Sequence, residues 1–324
     1  MSHEYEDAER NSDIWINLRR HPVKATDPPG VAFVLVRRPD ATVSVFDSGF
    51  LLGDGVWEGI RLHAGVLLSA KQHVDRLFEG ATALAMDLGC SKQQMVDEIY
   101  KACDANEMNS DVHVRLVVSR GLKPTPYQNP KTTIGLPTVA IIPEWKAVKD
   151  DADSARVRGI TLFTTHVRRG PSDVQDPMWN SLSKLNCIAA CIQATAAGAD
   201  EALMLDVHGF VATCNSTNFF VVRDGAVWTP TTKYQLHGIT RTAVLALCSK
   251  NGIAVKECDF SLTQVYSADE AFVTGTFAGQ IPVVTVDGRT IGDGKRGPVT
   301  ERLQQLYKAY VVEATRDRAI AWKK

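Results

Sequence analysis

Paired strand signals with tight turns between them constrain the fold of this chain more than any other feature. Apolar segments flank turns at Ala64–Gly65, His208–Gly209, Asp224–Gly225 and Asp287–Gly288. Segments of this kind joined by two-residue turns are typical of β-hairpins. Parallel neighbours need long crossover connections, so this many hairpins argue against a doubly wound parallel sheet. The sequence therefore predicts an α+β protein with mixed or antiparallel sheets.

Other local patterns predict one more hairpin and several helices. The segments VAFVLVRR (31–38) and TVSVFDSG (42–49) flank Pro39–Asp40 and predict a further hairpin. Apolar residues recur at helical spacing from about residue 71 to residue 88, and Ser91 with Gln94 indicates a capped helix start. Further helices are predicted at about 183–197 and 298–315.

The length of 324 residues is sufficient for two domains. After Pro143 the chain enters EWKAVKDDADSAR, which is charged and lacks apolar periodicity. We therefore predict a small N-terminal α/β domain over residues 1–145, a linker over 146–154 and a larger domain over 155–324.

Composition excludes several classes of function. A formal net charge of -1 and a pI near 6.7 give no basis for binding nucleic acid or an anionic membrane surface. No apolar run approaches the roughly 18 residues that a membrane span needs, and the N-terminus lacks the layout of a secretory signal. The seven cysteines include no CxxC pair, which favours a reducing cytoplasm and predicts no metal site.

Three separated segments have the character of a phosphate site. Gly238-Ile239-Thr240 begins a predicted helix, where free N–H groups and the helix dipole attract anions. Thr274-Gly275-Thr276 ends a predicted strand in small residues, and Arg76 supplies a cation on a helix. Taken singly, each is also typical of a plain cap, a tight turn or a surface arginine.

The order of the motifs is more specific than any of them. HVDRL at Arg76, a helix with a nearby lysine, GADEALMLD, GITR at Gly238 and TGTFAG at Thr274 follow one another along the chain. This series resembles the class IV aminotransferases, the pyridoxal 5'-phosphate (PLP) enzymes of fold type IV. The resemblance covers roughly residues 30–295.

The resemblance implies a fold, a cofactor and a set of binding residues. It implies a two-lobed fold type IV, with a small α/β lobe, a larger pseudo-barrel lobe and PLP between them. It also implies a homodimer in which a loop of one subunit closes the other's site. The residues that correspond to the phosphate and substrate positions of the family are Arg76, Gly238, Ile239, Thr240, Gly275 and Thr276 for the cofactor and Trp57 for the substrate pocket.

The chain departs from the family at the residue that binds PLP covalently. The family lysine corresponds to Asn180, and an amide cannot form a Schiff base. The nearest lysine is Lys184, four residues later. Two interpretations stay open: Lys184 has taken over from one helical turn further on, or the covalent lysine is lost. A lysine side chain has the length and flexibility that the first interpretation requires.

Three further positions differ from the family. Its glutamate, which keeps the pyridine nitrogen protonated, is replaced by Thr213 in the sequence VATC. A hydroxyl can hydrogen-bond that nitrogen but cannot balance a pyridinium charge. In the loop after Arg120, the places of the arginine and histidine found in D-amino acid aminotransferases hold Thr125 and Tyr127. We predict that Tyr127 and Asn180 border the substrate pocket.

These observations predict a PLP-dependent aminotransferase-like enzyme that acts on a small amine or amino acid and a keto acid, with Lys184 as its catalytic lysine. Two alternatives follow from Asn180 and Thr213. One is a protein of the same fold that has lost Schiff-base chemistry and binds PLP or another phosphorylated ligand without a covalent bond, or catalyses a cofactor-free reaction. The other is a PLP lyase, because a neutral partner of the ring nitrogen suits elimination.

Overall fold

The computed structural model describes residues 9–21, 32–148 and 151–318, and these fall into two compact units. The N-terminal unit comprises the described residues up to Ala147, together with residues 179–184 and 313–318. The C-terminal unit comprises the described residues of 148–178 and residues 185–312. The predicted linker includes residues 149–150, which lie outside the described residues.

The N-terminal unit is built from one sheet and the helices that cover it. Its strands are β1 (Trp15–Arg19), β2 (Phe33–Arg37), β3 (Gly55–His63), β4 (Val66–Leu67), β5 (Val112–Ser119) and β6 (Thr138–Trp145). Its helices are α1 (Ser48–Leu52), α2 (Ala70–Ala83) and α3 (Lys92–Ala105). The strands pair in the order β2-β1-β6-β5-β3-β4, with every neighbour antiparallel.

Alternation along β3 and β5 separates a buried face from a second face of this sheet. Ile60 and Leu62 of β3 and Val114 and Leu116 of β5 are fully buried in the core of the unit. Val74 and Leu77 of α2 pack into the same core. Successive strand residues point to opposite faces, so the odd-numbered residues of β3 lie on the other side of the sheet.

Residues 179–184 pair with the beginning of β3. The N–H of Trp57 donates to the carbonyl of Asn180 at 2.9 Å, and the N–H of Leu182 donates to the carbonyl of Gly55 at 2.9 Å. Val56 and Ser181 form an antiparallel bridge between these two hydrogen bonds. The register of the segment against β3 is therefore fixed by the backbone.

The C-terminal unit contains a mixed sheet that curls into a half-barrel. Its strands are β7 (Ile160–Thr164), β8 (Glu201–Leu205), β9 (Val211–Cys214), β10 (Asn218–Arg223), β11 (Ala226–Thr229), β12 (Val255–Glu257), β13 (Glu270–Gly275), β14 (Gly279–Val286) and β15 (Arg289–Thr290). Its helices are α4 (Ala155–Arg158), α5 (Ser172–Gln175), α6 (Leu185–Ala196), α7 (Ile239–Lys250), α8 (Leu262–Tyr266) and α9 (Pro298–Ala314), whose last two residues belong to the N-terminal unit.

The strand order of this sheet is β12-β11-β10-β13-β14-β7-β8-β9, and β15 pairs with β14. Phe219 and Val273 lie in a core on one face of β10 and β13, while Phe220 and Phe272 stack at 4.7 Å on the other. Val244 of α7 packs on the second face. A membrane-crossing helix, with the length and apolar character that this requires, is absent from the described part of the chain.

Most of the predicted elements are confirmed, and one hairpin is wrong. The glycine turns join β3 to β4, β8 to β9, β10 to β11 and β14 to β15. The predicted pairing of residues 31–38 with residues 42–49 does not occur: β2 pairs with β1, and α1 begins at Ser48. Asp47 caps α1 through the Gly49 N–H at 2.8 Å and accepts the Thr138 hydroxyl at 2.7 Å, so the chain leaves the strand direction there.

Candidate active site

The N-terminus of α7 has the backbone geometry of an anion site. Gly238 is its N-cap residue, with an extended backbone, and Thr240 is 5% exposed in the first turn. A Cβ at Gly238 would collide with Oδ1 of Asn218, so no other residue fits there. Asn218 also donates to the carbonyl of Leu236 at 2.9 Å and thereby fixes the approach to the helix. The first N–H groups of α7 and the Thr240 hydroxyl suit a phosphate.

The end of β13 lies beside the same asparagine. Asn218 of β10 pairs with Thr274 of β13, which places the turn that contains Thr276 next to the beginning of α7. Gly275 is less constrained than the sequence predicts. Its nearest neighbour for an added Cβ is Cγ2 of Thr217 at 3.6 Å, an ordinary contact. Asn218 therefore adjoins both Gly238, at the beginning of α7, and Thr274, near the end of β13.

Thr213 lies on β9, and its hydroxyl is already engaged. It donates to the carbonyl of Thr217 at 2.8 Å, a carbonyl that also accepts the Cys214 N–H at 3.0 Å. The loop is anchored by Glu201, 2% exposed, which accepts hydrogen bonds from Ser216 and from the hydroxyl of Thr217. Because a carbonyl can only accept, the Thr213 oxygen has lone pairs to offer and no second proton.

Trp57, Asn180 and Lys184 form a group in the N-terminal unit. Asn180 is 8% exposed and lies opposite Trp57 through their backbone hydrogen bond, on the same face as the indole. Nζ of Lys184 lies 5.4 Å from the centroid of the Trp57 ring, within cation–π distance. The structure thus places the Lys184 ammonium and Asn180 beside the same residue, Trp57.

Arg115 stacks on the same indole. Its guanidinium carbon lies 3.9 Å from the Trp57 ring centroid. Gly59 pairs with Arg115 in the sheet, and a Cβ at Gly59 would lie 2.8 Å from Nε2 of His113. Burial, with the charges of Arg115 and Lys146, lowers the pKa of His113 to about 3, so this imidazole is neutral near pH 7. The face around Trp57 therefore presents cations suited to a carboxylate.

Arg76 is held by a buried carboxylate on the opposite face of β3. Its Nε and Nη2 donate to the two oxygens of Glu58 at 2.7 and 2.8 Å, and His73 bonds to the same carboxylate at 2.7 Å. Burial by itself would raise the pKa of Glu58, but the charge of Arg76 and the two side-chain donors lower it. Truncating Arg76 would leave the Glu58 carboxylate, 1% exposed, without its cationic partner and with His73 as its remaining side-chain partner, a destabilising change.

The remaining candidate, Tyr127, and the nearby Arg120 lie at the loop after β5. Tyr127 lies on the loop after β5, with 57% of its side chain exposed. Arg120, which precedes that loop, forms a bidentate pair with Asp54 at 2.6 and 3.0 Å and donates to the carbonyl of Leu84. Arg120 is therefore committed to the structure of the N-terminal unit.

Sequence reasoning missed Glu58, His73 and Asn218 as supporting residues. His73 and Arg76 are spaced i, i+3 on α2 and so share one helix face, a signal that pointed to a common partner. No sequence signal identified that partner as Glu58, since strand and helix are joined only by the fold. Asn218 belongs to the NFF segment of β10, where its position at a strand start was the available signal.

Comparison with known proteins identifies the family. The family profile described as amino-transferase class IV matches residues 55–286. The chain belongs to the class IV aminotransferases. It is 41% identical to a putative branched-chain-amino-acid aminotransferase of Methanocaldococcus jannaschii, over 84% of this chain and 92% of the relative. It is 32% identical to a D-alanine aminotransferase of Listeria monocytogenes, over 86% and 94%.

A solved class IV aminotransferase has the same fold. The T.th. branched-chain amino acid aminotransferase with pyridoxamine 5'-phosphate matches at a TM-score of 0.83 and 28% identity, over 94% of this chain and 96% of that one. The predicted family, the α+β fold type IV and an aminotransferase-like activity are thereby confirmed. The roles of Lys184, Asn180 and Thr213 stay predictions.

Proposed function

We propose that this class IV aminotransferase uses PLP to exchange an amino group between a small amine or amino acid and a keto acid. The observation that carries the proposal is the anion site at the N-terminus of α7, where Asn218 leaves room only for Gly238. Relatives named as branched-chain and D-alanine aminotransferases support the reaction type, and the solved relative with pyridoxamine 5'-phosphate supports the cofactor.

The residues present fit PLP at its phosphate end. The N–H groups of α7 from Ile239 onward and the hydroxyls of Thr240 and Thr276 would hold the phosphate. Arg76 belongs to the N-terminal unit, where Glu58 holds its guanidinium in one orientation, and its predicted role as a phosphate ligand stays a prediction. When bound, PLP supplies an aldehyde that takes up an amino group and a ring that withdraws electrons from the substrate Cα.

Lys184 is the residue that we propose bonds covalently to the cofactor. Its ammonium lies at the indole of Trp57, the same residue whose N–H donates to the carbonyl of Asn180. The bridge between Val56 and Ser181 sets the register of this segment against β3. Residues 180–184 are not helical, and α6 begins only at Leu185, so the predicted displacement by one helical turn becomes one of four residues along a segment paired with β3. The Lys184 side chain at Trp57 supports transfer of the lysine function along this segment.

Thr213 would contact the ring nitrogen as a neutral partner. Because its proton is donated to the carbonyl of Thr217, the hydroxyl oxygen would accept a hydrogen bond from a protonated nitrogen. A neutral acceptor stabilises that protonated form less than a carboxylate does. We therefore expect a slower removal of the Cα proton than a glutamate at this position would give.

Substrate would be bound on the Trp57 side. The indole offers an apolar wall, and Arg115, stacked against it at 3.9 Å, offers a guanidinium for a carboxylate. Tyr127, on its exposed loop, would add a hydroxyl. Lys184 would accept and return the proton at Cα, which requires that it lie on the substrate side of Trp57, as its 5.4 Å contact supports.

We also propose that the enzyme is a homodimer. Leu185, Ile188 and Ile192 of α6 are 73%, 50% and 64% exposed and form one stripe at i, i+3 and i+7. An exposed apolar stripe of this kind is typical of a protein–protein interface. The stripe begins directly after Lys184, so a second copy packed on it would also shield the neighbourhood of the proposed catalytic lysine.

Covalent trapping tests the role of Lys184. Borohydride makes a lysine–PLP bond irreversible, so the wild-type protein loaded with PLP should yield one peptide with the cofactor mass, containing Lys184. Lys184→Ala should abolish the visible absorption and the labelled peptide. Lys250→Ala, which removes an exposed lysine at the end of α7, is the matched control and should label normally.

A second variant tests whether a lysine at position 180 can take the place of Lys184. Adding Asn180→Lys to Lys184→Ala should restore trapping, now on the peptide that contains residue 180. If wild-type protein that is folded and binds phosphate gives no adduct at Lys184, the covalent assignment is wrong. The chain would then be a family member that binds PLP without Schiff-base chemistry.

A further inference from the structure

The loop after β5 contains a fully buried lysine. Lys123 is 1% exposed and is among the largest fully buried side chains in the described residues. Lysine is almost never buried to this extent unless its ammonium is paired. Nζ of Lys123 donates to the carbonyl of Asn129 at 3.1 Å, six residues further on. The side chain therefore spans the loop from one end to the other.

Asn129 organises the far end of this loop. Its Oδ1 accepts the N–H of Lys131 at 3.0 Å, which caps a short 3-10 turn at Pro130–Thr132. Its carbonyl accepts the hydroxyl of Thr132 at 2.8 Å in addition to the Lys123 ammonium. The Lys123 ammonium thus binds Asn129, whose hydrogen bonds to Lys131 and Thr132 stabilise the second half of the loop.

The near end of the loop is fixed by its backbone. The N–H of Lys123 donates to the carbonyl of Phe46 at 3.0 Å, and Leu122 and Ile134 form an antiparallel bridge. Residues 124–128, which lie between Lys123 and Asn129, are exposed. Pro124 restricts the backbone of the segment further. The hydrogen bond from the Lys123 side chain joins the two ends of this exposed segment, which contains Tyr127.

We propose that Lys123 is a positioning residue that clips residues 124–128 into the conformation that presents Tyr127 to substrate. The proposal rests on the proposed function, since that function assigns Tyr127 to the substrate. The Lys123 ammonium does not itself bind the substrate carboxylate, because it is buried and bonded to the Asn129 carbonyl. Without the clip the loop samples open conformations, and substrate binding has to order it again.

Limited proteolysis tests the clip without reference to any activity. Chymotrypsin cleaves after Tyr127 only when the loop opens. In the full-length PLP-loaded protein, Lys123→Met removes the ammonium and keeps an unbranched apolar chain. Loss of this charge-assisted hydrogen bond should speed cleavage at Tyr127 by at least about tenfold. Lys131→Met, at an exposed lysine of the same loop, should cleave at the wild-type rate.

Steady-state kinetics then tests the link to substrate. Lys123→Met should raise KM for the amino-acid substrate by about tenfold and leave kcat and PLP affinity unchanged, because only loop ordering is lost. In a Tyr127→Ala background, the same substitution should add no further change in KM. A merely structural role would alter thermal stability and kcat together.

The outcomes distinguish the inference from the function on which it rests. Wild-type rates of cleavage in Lys123→Met overturn the clip, whatever the activity. Faster cleavage with an unchanged KM keeps the clip but overturns its link to substrate. A wild-type protein without aminotransferase activity contradicts the proposed function and leaves the cleavage result valid. If Lys123→Met does not fold, Lys123→Gln, which is polar but too short to span the loop, replaces it in both measurements.

Discussion

At the scale of single residues, we propose that Thr213 stands where the family has the carboxylate that holds the ring nitrogen protonated. Thr213→Glu should restore that carboxylate and accelerate the half-reaction with an amino acid by at least about tenfold, which corresponds to about 1.4 kcal/mol in the barrier. Single-turnover absorbance of the PLP-loaded protein measures the rate. Thr213→Val, which keeps the shape and loses the bond to Thr217, is the control and should not accelerate the reaction.

An unchanged half-reaction in folded Thr213→Glu would show that residue 213 does not face the ring. The pH dependence of the spectrum gives a second readout of the same contact. A carboxylate beside the nitrogen should extend its protonated form to higher pH, since a negative neighbour favours the charged state. Thr213→Val should move this transition in the opposite direction or leave it where it is.

Two histidines with lowered pKa values predict the sensitivity of the fold to acid. Burial lowers the pKa of His73 despite its bond to Glu58, and burial with nearby cations lowers the pKa of His113 to about 3. His113 is therefore neutral in the folded protein down to about pH 3, while the histidines of the unfolded chain take up protons below about pH 6.5. The free energy of unfolding should fall with pH from there toward pH 3, by about 1.4 kcal/mol per pH unit for His113, and the lowered pKa of His73 adds to this fall.

Urea denaturation at several pH values measures this slope. His113→Gln removes one of the two groups and should reduce the slope by about one proton between pH 6 and pH 4. His208→Gln, at a histidine for which the structure gives no such burial, is the matched control. An unchanged slope in His113→Gln would show that this imidazole is protonated in the folded state.

At the scale of elements, the start of α7 is the part of the site with the strictest steric requirement. Gly238→Ala would force a Cβ against Oδ1 of Asn218 and displace the first turn of the helix. We expect the dissociation constant for PLP to rise by at least about tenfold, because several N–H donors lose their alignment together. Titration of the apoprotein with PLP, followed by fluorescence, measures this.

Gly275→Ala is the matched control for that prediction. Its added methyl would meet Cγ2 of Thr217 at 3.6 Å, so the turn that carries Thr276 should keep its shape. PLP affinity within about threefold of the wild type is the expected result, since an ordinary van der Waals contact costs little. Equal losses in the two variants would mean that the phosphate is not bound at the start of α7.

At the scale of the whole molecule, the exposed stripe on α6 predicts the state of assembly. Sedimentation velocity at micromolar concentration should show a dimer. Ile188→Glu places a charge in the stripe and should yield monomer, because an unpaired charge buried in an interface costs several kcal/mol. Val255→Glu, a charge on the exposed strand β12, should remain dimeric. A wild-type monomer under these conditions would contradict the proposed assembly.

The sequence by itself determined the local structure of this protein. The hairpin turns at Gly65, Gly209 and Gly225 and the cap at Ser91 depend on backbone preferences of a few neighbouring residues, which a linear pattern records. The order of the motifs indicated the family for the same reason, because each motif is a short segment that a linear pattern records.

Only the tertiary structure decided which distant segments meet. Residues 42–49 have the composition of a strand, yet β2 pairs with β1, and Asp47 turns the chain into α1. Residues 179–184 pair with β3, which brings Lys184 and Asn180 to Trp57. Glu58 of β3 binds Arg76 because α2 packs against that strand. Such partners are selected by burial and by the need to satisfy buried charges, and these act between residues that the sequence places far apart.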